Sequence, residues 1–370
     1  MRLSPEQRIL NTLEGREVDR LPVMDIFHNS RLMEHITGKT ITKKNAFDVA
    51  AEAVGRELDL CRHFTIPDPD RFADSERVDE DGFVLRSNWW TGAYIASPLK
   101  TAAEARDQMK KDIERIRAAT EEHRVISQAQ VNLELPGENC ATFEEIGEFF
   151  NTIAAKILPA VSVCPETEVG MYTALARYGF ELFFCAWYDY PDVVREYYDT
   201  LTAYEVEKIR TYGARLRSPI AMLSEAVASN SGLLYRYEFI KEFIFPNVRS
   251  VIRAWQEAGK KVIFHSDGNR WAILDDIVAM GVDSINPCEA LAGMTVKEFK
   301  TKYPRVTIGS VIDCQDLLPL GPVSAIEEAS RQLLEDAQGN HVFLGSSSEI
   351  HPAIPVEHAM AMYRVLRGNG

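Results

Sequence analysis

From about residue 125 onward, short apolar runs alternate with stretches that carry the apolar spacing of amphipathic helices. Runs typical of buried strands lie near 125–132, 160–164, 181–187, 219–224, 261–265, 282–286, 305–311 and 341–346. Most are separated by helical patterns, at 142–158, 169–179, 191–213, 237–258, 270–280, 295–302, 322–336 and 355–367. Eight strands with helices between them predict an α/β protein with the (β/α)₈ TIM-barrel fold.

The first part of the chain lacks this alternation. Residues 4–14 predict a helix that Ser4 caps and Pro5 begins, residues 20–24 could form a strand edge entering the barrel, and Asp81-Gly82 is typical of a hairpin turn. A charged helix is predicted at 101–123. We therefore expect residues 1–124 to form an N-terminal helical and irregular extension with entrance loops. It would pack on a barrel body at 125–370 within one structural domain.

Polar side chains follow five consecutive predicted strands at the point where each strand ends. They are Glu225, then His265 and Asp267, then Asn286, Cys288 and Glu289, then Asp313 and Cys314, and finally Ser346, Ser347, Ser348 and Glu349. A parallel barrel gathers the carboxyl ends of its strands on one face, where such enzymes keep their active sites. The sequence therefore predicts a site at this face.

The segment Lys261–Asn269 is the most specific of these strand ends. A short apolar run leads into His265, Asp267 and Gly268, and a helical pattern follows. Histidine and aspartate two residues apart can reach the same metal ion or the same substrate proton. Structural alternatives are a buried histidine bonded to backbone and an aspartate that caps the next helix.

Composition narrows the class of protein. Of 370 residues, 46% are hydrophobic, and the formal net charge is -14. That charge disfavours nucleic acid and anionic membrane surfaces as partners. The opening residues lack a secretory signal, and no apolar run reaches transmembrane length, so we expect a cytoplasmic protein. The scattered cysteines, 61, 140, 164, 185, 288 and 314, are expected to be reduced thiols.

In several sequence motifs, the chain resembles the uroporphyrinogen decarboxylase superfamily, nearly from end to end. The resemblance rests on the opening segment 8–23, on Phe264–Asn269, on 281–287, on Ile308–Asp313 with Gly321, and on the closing segment 352–358. One branch of that superfamily decarboxylates uroporphyrinogen without a cofactor. The other contains zinc-dependent, cobalamin-linked methyltransferases, including O-demethylases.

The resemblance favours the methyltransferase branch. The decarboxylases carry an arginine-rich entrance loop, whereas this chain has one arginine, Arg31, and one aspartate, Asp25, at that place. One arginine cannot balance a polyanionic tetrapyrrole well. The thiol-methylating relatives bind zinc through thiolates, whereas this chain has Asp267 in the first motif and Ser348 near the distant position. A site of histidine and carboxylates suits an ether oxygen better than a soft thiolate.

The resemblance to methyltransferases of phenyl methyl ethers implies a ligand set for Zn²⁺. The matching positions are His265, Glu225 and Glu242, with Asp267, Glu289 and Glu349 as alternative carboxylates. The catalytic residues would be His265, Asp267 and Glu225. The expected substrate is a small methoxylated ether, most plainly an aromatic one. It would contact residues from the aromatic segments and the strand ends: Phe27, Trp89, Trp90, Tyr94, Tyr172, Asn286 and Ser348.

The partner implied by the resemblance is a corrinoid protein whose cobalamin accepts the methyl group. The direction of transfer stays open, as does the choice between a monomer and a homodimer. Two other functions compete with this one: a metal-free decarboxylase, and a ligand-binding relative without catalysis.

Overall fold

The computed structural model describes residues 2–126, 140–163, 165–337 and 341–368. Its strands are β1 Met24–Asp25, β2 Leu60–Cys61, β3 Ser75–Val78, β4 Val84–Ser87, β5 Gly92–Ala96, β6 Val161–Ser162, β7 Thr167–Glu168, β8 Ile220–Ser224, β9 Ala228–Ser229, β10 Gly232–Leu233, β11 Lys261–His265, β12 Ser284–Asn286, β13 Thr307–Gly309 and β14 Val342–Phe343. Two parallel sheets dominate, in the orders β1-β2-β6 and β14-β13-β12-β11-β8-β7.

The two parallel sheets meet where the last strand lies beside the first. Val23 bridges Leu344 and Phe27 bridges Ile350, both in parallel sense. The parallel strands and their covering helices confirm the predicted α/β architecture of the TIM-barrel type.

The α-helices cover the outside of the sheets. They are α1 Pro5–Leu13, α2 Ser30–Thr37, α3 Ala46–Glu57, α4 Ala102–Glu121, α5 Phe143–Lys156, α6 Met171–Tyr178, α7 Phe180–Asp189, α8 Pro191–Tyr212, α9 Tyr237–Phe239, α10 Phe245–Glu257, α11 Leu274–Ala279, α12 Val296–Lys302, α13 Leu317–Leu320, α14 Val323–Asp336 and α15 Val356–Leu366. Short 3₁₀ turns lie at Pro69–Arg71, Gly213–Arg215 and Ala290–Ala292, and a π-helical turn joins α9 to α10 at Ile240–Ile244. None of the helices within the described ranges is long and apolar enough to cross a membrane.

Alternate side chains of each strand enter two different cores. Ile220 and Met222 of β8 belong to a small interior cluster, which Ile263 of β11 joins. Ala221 and Leu223, which point the other way, join the larger core beneath the helices. This period-2 burial on both faces explains why the central strands are almost wholly apolar in sequence.

The predicted strand at 181–187 is wrong, because this segment lies inside α7. Its aromatic residues recur at the spacing of one helix face: Phe180 lies 4.8 Å from Phe184 between ring centroids, and Trp187 follows three residues later. The ring of Trp187 packs 4.4 Å from that of Phe243. An apolar run this short does not distinguish a strand from a helix, and the aromatic spacing decided it.

The N-terminal part contributes more than an extension. Strands β1 and β2 pair in parallel with each other, and β2 pairs with β6. The eight strands predicted between residues 125 and 346 do not include β1 and β2, which this pairing adds to the parallel sheets. The apolar runs around β1 and β2 are short, and polar or charged residues interrupt them, so they gave a weak strand signal. The predicted strand at 125–132 falls mostly outside the described residues.

Local predictions for the first part hold. Ser4 caps α1 in a capping box with Gln7, and β3 and β4 form the antiparallel hairpin predicted at Asp81-Gly82.

At the seam between the first and last strands, Asp25 accepts hydrogen bonds from Ser346 Oγ at 2.6 Å and Tyr363 Oη at 2.7 Å. Burial raises the pKa of the Asp25 carboxyl to about 6. These contacts fix the seam from inside the core.

Candidate active site

A cavity of about 370 Å³ opens at the carboxyl ends of the parallel strands. At least one lining side chain comes from the carboxyl end of each parallel strand or from the loop that follows that strand. The lining consists of Ile26, His28, Arg62, His63, Glu166, Glu168, Tyr172, Ser224, Glu225, Ala226, His265, Ser266, Asp267, Glu289, Cys314, Gln315, Ser348, Glu349 and His351. The predicted location of the site is therefore where the cavity lies.

His265 ends β11 with its ring fixed in one orientation. Its Nδ1 lies 2.7 Å from Oδ1 of Asn286, the residue beside it on β12. Asn286 Nδ2 donates to the carbonyl of Gly309 at 3.3 Å, so the amide oxygen faces the ring. Nδ1 of His265 therefore carries the proton, and Nε2 presents a lone pair. Burial and the nearby Arg62 guanidinium lower the pKa of His265, which keeps the ring neutral.

Asp267 lies beside that lone pair. Its Oδ1 is 3.7 Å from His265 Nε2, and its side chain is 63% exposed. The tight turn depends on Gly268, whose φ of +83° and close approach to the Ser229 backbone exclude a Cβ. The amide of Gly268 donates to Glu289 Oε2 at 2.6 Å. The turn therefore places two carboxylates, Asp267 and Glu289, around the end of β11.

Glu225 follows β8 and is 2% exposed. One carboxylate oxygen accepts a 2.5 Å hydrogen bond from the Tyr198 hydroxyl, and the other accepts from the Ala226 amide at 3.0 Å. Burial nevertheless raises the pKa of the Glu225 carboxyl to about 7. Near neutral pH this group is therefore divided between its protonated and ionised forms and can donate or accept a proton in the cavity.

An ion pair that the sequence did not indicate lies between β2 and β7. Arg62 Nη2 contacts Glu166 Oε1 at 3.0 Å, and the Ser224 hydroxyl donates to the same oxygen. Although burial acts to raise the pKa of Glu166, the Arg62 guanidinium prevails and lowers it to about 2. Glu166 is therefore ionised, and its negative charge balances most of the positive charge of Arg62.

Three further histidines line the cavity. His351 is held by the backbone, with Nε2 2.9 Å from the Cys314 carbonyl and Nδ1 accepting from the Ala353 amide at 3.3 Å. His63 lies at the end of β2, its ring 6.1 Å from that of His28. His28 is 7% exposed, and within the described ranges neither of its ring nitrogens has a hydrogen-bond partner.

The predicted zinc ligands do not come together. Glu242 lies on the π-helical turn, whose buried side chains are Ile240, Phe243 and Ile244, so its own side chain is exposed and away from the cavity. His265 and Glu225 do line the cavity. Across the described ranges, however, no three His, Cys, Asp or Glu side chains are arranged to hold a metal ion. The residues as placed do not fit the three-ligand zinc site that the resemblance implied.

The remaining predicted residues divide into two groups. Tyr172, Ser348, Glu289 and Glu349 line the cavity, and Trp90 packs against a lining residue, its ring 5.3 Å from that of His28. Four other positions lie elsewhere. Phe27 is buried against Tyr363, Trp89 packs on Phe72, Tyr94 packs on Phe83, and Asn286 acts through His265.

Residues that sequence reasoning missed share one signal. Arg62 and His63 directly follow β2, Glu166 follows β6, and Glu168 ends β7. The strand-end rule that found His265 would have found Arg62 and His63 had β2 been predicted, and it would have found Glu166 had it been applied to the predicted strand at 160–164.

The lining is strongly acidic in the described part of the chain. Six carboxyl groups face one arginine, which Glu166 already neutralises, and the four histidines add charge only when protonated. A site of this composition is a poor receptor for a ligand with many carboxylates.

Comparison with known proteins places this arrangement in a family. The model of the family described as Uroporphyrinogen decarboxylase (URO-D) matches residues 123–368. A methyltransferase from Methanosarcina mazei has a similar solved structure, with a TM-score of 0.66 and 16% identity, covering 100% of this chain and 99% of that one. At that identity the likeness concerns the fold.

Other similar structures are weaker matches. A xylanase of glycoside hydrolase family 10 from Gloeophyllum trabeum gives a TM-score of 0.39 at 11% identity, covering 62% of this chain and 82% of that one. Scores this low do not establish a common topology. No curated protein sequence matches the chain significantly. Because the family model spans well over half of the sequence, the chain belongs to the uroporphyrinogen decarboxylase family.

Proposed function

We propose that the protein is an enzyme of the uroporphyrinogen decarboxylase superfamily that transfers a methyl group from a small methoxylated, aromatic ether to a corrinoid protein. The observation that carries this proposal is the composition of the cavity: an acidic lining with a neutral, oriented histidine and a protonatable glutamate. A volume of about 370 Å³ lies at the small end of ligand sites. The whole-length fold likeness to a methyltransferase supports the same choice.

The chain's own residues suit the departure of an oxygen. In the proposed reaction the methyl–oxygen bond breaks, the methyl group goes to the acceptor, and the oxygen takes up a proton. Glu225, with a pKa of about 7, holds such a proton at neutral pH in a buried position. A proton delivered to the leaving oxygen removes the cost of a free phenolate in this acidic cavity. The cobalamin of the partner supplies the nucleophile when it is bound.

His265 would position the ether. Its Nε2 lone pair can accept a hydrogen bond from a hydroxyl or a water beside the substrate, and Asn286 keeps that nitrogen unprotonated. Because the carboxyl ends of the strands form the mouth of the cavity, the corrinoid partner would have to dock over the same face.

Zinc is a separate proposal with a changed ligand set. Nε2 of His265 and Oδ1 of Asp267 lie 3.7 Å apart, close to the spacing of about 3.3 Å that two donors of a tetrahedral zinc ion adopt. Further donors would have to move, because no third acidic, histidine or cysteine side chain of the described ranges completes a group with them.

The experiment that tests the proposal measures release of the phenol from a methoxyarene in the presence of cob(I)alamin, together with zinc content by elemental mass spectrometry. We expect His265→Ala to lower the rate at least about 100-fold and to lose any bound zinc. The exposed His35→Ala is the matched control and should keep both properties. Glu242→Ala should also keep both, since its side chain is exposed.

Two outcomes would contradict the proposal. Absence of phenol release by the wild type with several methoxyarenes would remove the methyl-transfer function and favour a decarboxylase or a binding protein. A wild type free of zinc after metal addition would remove the zinc proposal alone.

A further inference from the structure

His28 is a buried histidine of the cavity that lacks the partners its chemistry requires. The residue follows β1, is 7% exposed, and lines the cavity, yet Nδ1 and Nε2 both lack a hydrogen-bond partner among the residues that the structure describes. Buried polar atoms of native proteins are nearly always bonded, and exceptions mark positions where a ligand or water completes the site. Another histidine of the cavity wall, His351, shows the ordinary case, because the backbone engages both its nitrogens.

The surroundings of His28 favour a neutral ring. Burial disfavours a positive charge on the His28 ring, and the nearby basic groups His63, Arg62 and His351 act in the same direction. The pKa of His28 therefore lies well below the usual value. A neutral imidazole offers one N–H donor and one lone pair. Its natural partner is therefore a group that can both donate and accept, such as a hydroxyl.

The rest of the cavity argues against an anionic partner for this ring. Six carboxyl groups line the same space, and the one arginine of the lining, Arg62, is paired with Glu166. A carboxylate on the ligand would lie among these negative charges, and the arginine of the described lining already pairs with Glu166. A neutral hydroxyl avoids that cost.

Trp90 supplies the second element of the site. Its half-buried ring lies 5.3 Å from the His28 ring at 38°, on the turn between β4 and β5. Because the His28 nitrogens have almost no solvent contact, a ligand reaches one of them only when the His28 ring turns or Trp90 shifts. An aromatic ligand can replace part of the contact that Trp90 gives up.

We propose that His28 is a specificity-determining residue that selects, through a hydrogen bond to a neutral hydroxyl, a hydroxylated aromatic methyl ether over ethers that lack the hydroxyl. This inference rests on the proposed function for the ether and adds the hydroxyl. It divides the cavity into a recognition side at β1 and β2 and a reaction side at β8 and β11.

The test is calorimetric binding, which does not need turnover. The probes are 2-methoxyphenol, 1,2-dimethoxybenzene, in which a methyl group replaces the donor hydrogen, and 2-methoxybenzoate, which carries a carboxylate. We expect the wild type to bind 2-methoxyphenol about tenfold more tightly than 1,2-dimethoxybenzene. His28→Leu should lose that preference while keeping its affinity for the dimethoxy compound within about twofold. His28→Asn, which keeps a donor and an acceptor, should retain part of it.

His35→Leu, on the exposed face of α2, is the matched control and should keep the wild-type preference. Thermal unfolding of each variant shows whether the fold is kept. An unchanged preference in His28→Leu would overturn the proposal, as would a wild type that binds none of the probes or that prefers 2-methoxybenzoate. A hydroxyl preference that depends on His28, without methyl transfer in the cob(I)alamin assay, would support this inference and contradict the proposed function.

Discussion

Glu225 shows how burial can set the protonation state of one side chain in this cavity. The carboxyl keeps its proton up to a pKa of about 7, against 4.5 for an exposed glutamate. Its three kinds of neighbour, a phenol, backbone amides and the protein interior, act in opposite directions. The hydrogen bonds favour the carboxylate, but removal from water prevails.

This pKa predicts a pH dependence of stability. Because the folded protein binds the Glu225 proton more tightly than the unfolded chain, the free energy of unfolding should fall as the pH rises from about 4.5 through 7. Glu225→Gln removes the titration. Between pH 5 and pH 8 the wild type should therefore lose about 2 kcal/mol more than the variant, measured by urea unfolding.

Replacing the Glu225 carboxyl by an amide can also change the stability by an amount that does not depend on pH. The difference between the two pH values removes that constant effect. Asp25, which burial also shifts upward, to a pKa of about 6, is present in both proteins, so its contribution cancels. Parallel stability profiles for the wild type and Glu225→Gln would show that Glu225 titrates normally.

At the scale of elements, two arginines join the N-terminal hairpin to the barrel helices: Arg115 of α4, which contacts Asp81 at 2.5 Å and is 37% exposed, and the buried Arg177 of α6. Arg177 of α6 contacts Asp112 of α4 at 3.0 Å, and Asp79 and Asp81 of the β3–β4 turn at 3.2 and 2.7 Å. All four side chains are at most 8% exposed. The hairpin therefore depends on a buried network, while its outer strand β3 is exposed along its length.

Removing Arg177 should be costly because Asp79, Asp81 and Asp112 would stay buried, and of these three the half-exposed Arg115 would pair only with Asp81 and Asp112. We expect Arg177→Leu to lower the free energy of unfolding by about 3 to 5 kcal/mol. Arg86→Leu, in the exposed pair with Glu76 of the same hairpin, is the matched control and should cost less than about 1 kcal/mol. Equal, small losses in urea unfolding for the two variants would show that the network does not hold the hairpin.

The sequence could predict those elements whose signal is local. Strands β8, β11, β13 and β14 lie in apolar runs followed by polar residues, β12 lies in the mixed segment 282–286, and all five lie where they were predicted. Strands β1 and β2 are two residues each, and their identity depends on partners that lie far along the chain, Leu344 and Val161. Pairing over such a distance leaves little trace in the local pattern.

The candidate site followed the same division. His265, Asp267, Glu225, Glu289 and Ser348 were predicted because their strands were, and all line the cavity. Arg62 and His63 were missed because β2 was not predicted, whereas Glu166 was missed although the strand before it, β6, was predicted. Glu242 was carried over from a family spacing, but the sequence cannot show that a π-helical turn would direct it to solvent. Spacing along a chain fixes a side chain's direction only when the helix type is known.

For the whole molecule, the distribution of charge limits which ligands can enter. The chain carries a formal net charge of -14, and the cavity repeats that excess in its six carboxyl groups. A field of one sign over both surface and cleft repels ligands of the same sign and slows their association. The acidic cavity thus separates this chain from any function that requires it to hold a tetrapyrrole with many carboxylates.

The excess of negative charge predicts that the wild type has no saturable affinity for uroporphyrin, a stable polycarboxylated tetrapyrrole, in a fluorescence titration at physiological ionic strength. Salt screens the repulsion between exposed charges beyond about 8 Å. Raising the salt concentration should therefore weaken the exclusion of uroporphyrin without abolishing it, because the cavity carboxylates are partly buried. Glu168→Gln, which removes one cavity charge, should favour the polyanion and leave 2-methoxyphenol binding unchanged. Saturable binding of uroporphyrin by the wild type with a micromolar Kd would contradict the electrostatic argument. It would also return the chain to the decarboxylating branch of its family, since one paired arginine would then have sufficed to hold a polyanion.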